Sequence, residues 1–224
     1  MRKRIRGKSL MGLVMALLLV IAAAPARAEA DWRLERESDG ISVWTRSVEG
    51  SKHRAMRARM VVDTSIMELV ALIRDTRACS EWAEFCAASH VHESMSEAEA
   101  YIYTRNDLPW PVADRDALSH VRWTADASSG AVRMDAVATT GRLAPQPGAV
   151  RLTEAVTSWS FTPTEAGVLV ESEAHVVPAG PIPAWITNRL LVDAPLKTMG
   201  KLRDLAATGR YADIVVGFVP KASM

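Results

Sequence analysis

The sequence predicts an α+β fold built on antiparallel strands. Three observations carry the prediction. Eight runs alternate apolar and polar residues with period two, as strands with one buried face do. A short amphipathic helix with its own start signal interrupts them after the second run. A long apolar stripe at helical spacing then closes the chain.

Residues 1–28 read as a signal peptide. Arg2, Lys3, Arg4, Arg6 and Lys8 form a basic start, and an apolar run of 15 residues follows over 10–24. That run is short for a membrane span. Ala26-Arg27-Ala28 is a small-x-small cleavage signal, so the mature chain is expected to begin at Glu29, with an uncleaved anchor as the alternative. No cysteine follows the run and no twin-arginine pattern precedes it, which points to the general secretory route and the periplasm. The segment carries six basic residues, so a chain with 27 Lys+Arg and 26 Asp+Glu drops from +1 to −5 on cleavage. A net negative chain disfavours nucleic acid and constitutive adhesion to anionic membrane. Residues 29–224 are long enough for a single domain with a sizeable core.

The first two strand runs, 41–48 and 53–62, read as a hairpin. Ile41, Val43 and Thr45 share one face of the first; Met56, Ala58, Met60 and Val62 share one face of the second, opposite Arg57 and Arg59. Ser65 with Glu68 three residues on forms a capping-box pattern, and Ile66, Leu69, Val70 and Ile73 mark the helix it starts. Cys79 and Cys86 follow, the only two cysteines. They are a disulfide candidate in an oxidising compartment. Seven residues along an unbroken helix is about 10 Å, too far to bridge, so a bond requires a bent segment. Two thiols without histidines at ligand spacing make an incomplete metal site.

Runs at 89–94 and 99–106 pair as a second hairpin. His90, His92 and His120 alternate on strands and are expected to face solvent. In 117–125, Ala117, Ser119, Val121 and Trp123 are assigned to the concave face; in 132–138, Val132, Met134, Ala136 and Ala138 alternate with Arg133 and Asp135. Two prolines and two glycines make 139–149 a loop. The run 150–161 changes phase near Glu154, and 168–176 places Val168, Val170, Ser172, Ala174 and Val176 inward. The closing helix is expected from Pro183 to about Thr208. Trp185, Val192, Leu196, Met199, Leu202 and Ala206 lie on its apolar stripe with Asn188 among them. Pro195 should kink it by freeing the Leu191 carbonyl. A tail over 215–219 has no evident role.

The stretch Asp107-Leu-Pro-Trp-Pro-Val-Ala-Asp-Arg-Asp116 joins two strand runs. Its prolines exclude a helix interior or a central strand. Trp110 between them reads as a stiff apolar plug, and Arg115 between Asp114 and Asp116 reads as a local ion pair. Pro109, Trp110, Pro111, Arg115 and Asp116, followed by an alternating strand, resemble the central hairpin of START-type (steroidogenic acute regulatory protein-related) lipid-transfer domains. Gly180-Pro181-Ile182-Pro183-Ala184-Trp185-Ile186, running into a helix with Asn188 and Pro195, resembles that family's entry into its last helix. The resemblance covers residues 31–208 and identifies the chain as a bacterial secreted member. It implies a helix-grip fold, in which a curved antiparallel sheet wraps a long C-terminal helix around an apolar cavity. It would also allow the irregular segment that a Cys79–Cys86 bond needs.

No catalytic motif is present: no GxSxG, no phosphate-binding glycine loop, no dinucleotide fingerprint and no HExxH. No metal or cofactor is expected. Asp114, Arg115, Asp116 and His175 are the residues to inspect for chemistry. The expected function is a periplasmic lipid-binding or lipid-transfer protein, monomeric, touching membrane transiently. The cavity would be lined by Met60, Ser119, Val121, Trp123, Met134, Trp159, Trp185, Asn188 and Met199, since methionine and tryptophan adapt to broad apolar ligands. Arg115, Arg105 and Asn188 are candidates for the polar head. The loop 141–148, the turn 177–183 and the kinked helix are candidate gates. The second reading is a cyclase- or hydrolase-like enzyme of the same broad fold acting on an aromatic or polyketide-like molecule, which needs an ionisable group in the cavity. A third is a binding module that hands its ligand to a partner.

Overall fold

The computed structural model describes residues 31–180, 182, 186–187 and 189–220. The signal segment 1–28, Trp185 and Asn188 lie outside the described residues.

Among the described residues ten strands form one sheet in the order β1-β2-β3-β10-β9-β7-β6-β5-β4, with β8 beside β6. The strands are β1 (Arg33–Ser38), β2 (Ile41–Arg46), β3 (Ala55–Val62), β4 (Cys86–Ser96), β5 (Glu99–Asn106), β6 (Asp114–Ala125), β7 (Val132–Ala138), β8 (Ala149–Arg151), β9 (Ala155–Thr164) and β10 (Gly167–Val176). Every pairing is antiparallel except β6 with β8. The chain starts at one edge, crosses through helices α1 (Ile66–Arg74) and α2 (Cys79–Trp82) to β4 at the other edge, and meanders back until β10 meets β3. This is the curved antiparallel sheet gripping a C-terminal helix that the sequence implies.

Two strands exceed the eight expected. β1 has no apolar alternation because it is an edge strand: Leu34 is exposed and a bulge breaks its register. β8 and β9 replace the single run 150–161. The phase change near Glu154 is a full break, in which Leu152 turns into the interior.

The other faces follow the alternation. Ile41, Val43, Ala58, Met60, Val62, Trp123, Val132, Trp159, Phe161, Val168 and Val170 are buried in one core with Leu69, Val70 and Leu72 of α1. Ser65 caps α1 by accepting the Glu68 N–H at 3.1 Å. The expected capping box is only half made, because the Glu68 carboxylate takes the Thr64 hydroxyl at 2.6 Å.

The closing helix is not a continuous α-helix. Arg189–Asp193 forms a π-turn, and the α-helix runs over Ala194–Ala206 with Pro195 in its first turn. Pro195 has no N–H for the Leu191 carbonyl, so the expected kink takes the form of a wide turn. Met199, Leu202, Leu205 and Ala206 are buried, while Lys197, Lys201 and Asp204 face water. The tail does have a place. Val216 and Val219 join the core, Phe218 packs on Trp123 with ring centroids 6.0 Å apart, and the Gly217 N–H donates to Glu97 at 2.8 Å.

Candidate functional site

A cavity of about 560 Å³ lies between the concave face and the C-terminal segment, mid-range for small-molecule pockets. The sheet contributes Met56 and Ala58 from β3, Thr157 and Trp159 from β9, and Ser172 and Ala174 from β10. The opposite wall is Leu190, Leu191 and Val192 of the π-turn, then Pro195 and Met199. Glu35, Lys52, His53 and Arg54 supply charge and polarity to the lining.

The expected cavity residues separate into groups. Trp159 and Met199 line the cavity. Met60, Val121, Trp123 and Met134 sit on the concave side but pack into the core, and Ser119 shares their face without lining the cavity. Alternation identifies a face but not the position along it, and the core fills one end of the sheet while the cavity occupies the other. Residues missed in sequence include Phe85, Asn106, Leu108 and Leu152. Asn106 closes the β5 alternation opposite Arg115, while Phe85, Leu108 and Leu152 lie outside the strands.

Cys79 and Cys86 are joined by a disulfide, with Cα atoms 6.0 Å apart. The bend that permits it is visible: α2 is a single turn, Ala83 is extended, and Phe85 takes the left-handed region at φ 68°. The Phe85 carbonyl accepts the Asp107 N–H at 2.8 Å. The crosslink thereby fixes the wall residue Phe85 against the start of the proline-rich stretch.

That stretch departs from expectation in two ways. Trp110 is no plug: it is 88% exposed, and Leu108 fills the interior instead. Nor is Arg115 paired with its neighbours. Asp114 takes Arg105 at 2.7 Å, and Asp116 takes Arg151 through two bonds of 2.8 and 2.9 Å. The reason is strand alternation: Asp114 and Asp116 point to the convex side, Arg115 to the concave.

On the convex side Asp116 is fully buried. Arg151 holds its carboxyl below the usual range, against the opposing effect of burial. Arg151 also donates to the Leu143 and Ala144 carbonyls, and Arg105 to those of Pro147 and Gly148. The loop 139–149 is thus pinned over Tyr101, Tyr103 and Leu118 on the outer face, and of its residues none lines the cavity. Arg105 is likewise outside. His175 is bonded to Ser51 at 3.1 Å and does not line the cavity either. His90 and His92 are exposed, and His120 contacts Glu99 at 2.6 Å.

On the concave side Arg115 is 5% exposed and lines the cavity. Its terminal nitrogens donate to the carbonyls of Ala113 and Ala179. Burial pushes its pKa down. Glu84 also lines the cavity. Burial alone would raise its carboxyl, but hydrogen bonds from Lys201 and Lys197 hold it below the usual range.

Residues 16–197 match the family model described as START domain. An uncharacterized protein of Pseudomonas aeruginosa is 33% identical over 194 residues, which is 86% of this chain and 95% of that one. The crystal structure of a STAR-related lipid transfer protein from Xanthomonas axonopodis is 32% identical, with a TM-score of 0.73, covering 79% of this chain and 99% of that chain. Human StAR-related lipid transfer protein 5 shares the fold at 16% identity and a TM-score of 0.72, over 81% of this chain and 89% of its own. The hairpin around Arg115-Asp116, the gripped C-terminal helix and these matches agree: the chain belongs to the START domain family.

Proposed function

We propose that this protein is a non-catalytic lipid carrier of the periplasm, holding one apolar lipid, sterol-like or acyl, in its internal cavity. The observation that carries the proposal is the 560 Å³ cavity walled by Met56, Trp159, the π-turn and Met199. Each methylene buried there contributes roughly 0.8 kcal/mol, so a long chain is held without many polar contacts. The START membership and the lipid-transfer relative from Xanthomonas axonopodis support the same reading. Release then requires opening. The π-turn Arg189–Asp193 is the wall segment whose regular hydrogen-bond ladder is interrupted, which makes it the hinge. Trp110, exposed beside Leu108 of the wall, is the membrane contact. Arg115 stays charged at neutral pH and Glu84 is held ionised, so neither is poised for proton transfer.

The experiment is native mass spectrometry of protein isolated from its own cell envelope, then organic extraction and vesicle-to-vesicle transfer. A stoichiometric lipid that the protein moves between vesicles is expected. Protein that carries no lipid and accelerates no transfer refutes the proposal. N-terminal sequencing of the envelope protein tests the leader, with Glu29 as the expected first residue.

A further inference from the structure

Among the described residues, the charges on the cavity wall are unevenly matched. Glu35 has Arg54 at 3.4 Å and Arg33 at 3.8 Å. Glu84 has Lys201 at 2.7 Å and Lys197 at 3.2 Å. Arg115 has two carbonyls and no carboxylate. Its Nε is buried with no hydrogen-bond partner. A guanidinium carries five N–H donors, and the two carbonyls use two of them. Two more polar atoms of the lining, the Ser172 hydroxyl and the Nε of Arg54, are also buried without a partner, but Arg54 has the Glu35 carboxylate to neutralise it.

A buried cation and an orphaned donor are both costly unless something pairs with them. The protein pairs Arg151, beside this strand and with its side chain 10% exposed, internally with Asp116. Among the described residues no carboxylate neutralises Arg115, and the cation faces the ligand space. Burial is the cause that lowers its pKa, as for a cation lacking an anion nearby. The planar fork of a guanidinium matches the two oxygens of a carboxylate or phosphate.

Building on the lipid-carrier reading, we infer that the ligand is an anionic amphiphile whose carboxylate or phosphate head pairs with Arg115, while its hydrocarbon lies against Met56, Trp159 and Met199. The head completes the hydrogen bonding of Arg115 and replaces its lost hydration. Specificity then comes from the arginine and affinity from the hydrocarbon.

The test compares three probes of equal chain length on delipidated full mature protein: palmitate, 1-palmitoyl lysophosphatidate and hexadecanol. The wild type is expected to bind at least one anion about tenfold or more tighter than the alcohol, the size of one or two charged hydrogen bonds. The tighter anion shows whether the head is a carboxylate or a phosphate. Arg115→Met is expected to lose that preference, its affinity for the favoured anion falling about tenfold, toward that for hexadecanol. Arg115→Lys keeps the charge without the fork and is expected to fall between the two; it serves if the methionine variant does not fold. Equal binding of all three probes by the wild type overturns the anionic head and leaves the carrier reading standing. An anion preference that survives in both variants overturns the role of Arg115. Binding of no probe overturns both the inference and the carrier reading.

Discussion

Asp116→Asn tests whether the convex side of the hairpin is held by a buried charge pair. Asp116 is fully buried and the Arg151 side chain is 10% exposed, with two parallel bonds of 2.8 and 2.9 Å between them. Asparagine keeps the shape but leaves the guanidinium buried and uncompensated. Breaking one partner of such a pair costs about 3–5 kcal/mol. For a chain of this length that lowers Tm by about 6–20 °C. In urea, with m near 2 kcal/mol/M, the midpoint drops by roughly 2 M. The double variant Asp116→Asn/Arg151→Met should be less destabilised than the sum of the two single variants, because the second change removes the stranded charge. The effect also has a pH signature. The folded Asp116 carboxyl is depressed by Arg151, so its contribution is complete above the unfolded value near 3.9 and fades as pH falls through the lower folded value. The gap between wild type and Asp116→Asn should therefore be constant from pH 8 to 5 and narrow below about pH 4. A loss under 1 kcal/mol at pH 7, or strict additivity in the cycle, would refute the reasoning.

Other perturbations separate the remaining parts of the structure. Replacing Cys79 and Cys86 by serine opens a loop whose ends are 7 apart in sequence and should cost about 2.5 kcal/mol by the chain-entropy relation; unchanged urea midpoints for the variant and the reduced protein would contradict this. Trp110→Ala should leave stability within about 0.5 kcal/mol, given its 88% exposure, yet slow vesicle transfer; equal transfer rates would remove Trp110 from the membrane contact. Gly167 has φ 118°, and a Cβ there would strike the Val62 carbonyl, so Gly167→Ala should destabilise by about 1–3 kcal/mol in thermal unfolding. A neutral result would mean that the β9–β10 turn adjusts freely.

The sheet was readable in sequence because alternation is local. Faces came out where a strand is half-buried, as with Met56 and Ala58 opposite Arg57 and Arg59. The hairpin stretch and the C-terminal entry marked the family, and START membership bears out that recognition. What stayed hidden depends on distant partners or on position along a face. Nothing near Arg115 in the chain shows that its donors go to Ala179, which lies 64 residues away. Trp110 looks like core by composition, but the turn carries it outward and Leu108 takes its place. The tail seemed idle because Val216 and Phe218 find their partners, Met67 and Trp123, far back in the sequence. The loop 141–148 looked free to gate the cavity, but Arg105 and Arg151 tie its carbonyls to the convex side.

The seam between β3 and β10 bears on how the chain folds. It joins residues 56–62 to residues 168–174, so β3 has no partner on that side until nearly the whole chain is available. Such non-local closure slows folding and leaves an unpaired strand edge exposed meanwhile. The edge carries its own register key. Arg57 stands directly opposite Glu173 and Arg59 opposite Glu171, and both pairs make side-chain contacts. A slip by one residue would set each arginine against an apolar or neutral neighbour and turn the inward face of β10 out to water. Closing the sheet last therefore need not mean closing it loosely, because opposite charges select the one alignment that also delivers Ser172 and Ala174 to the cavity.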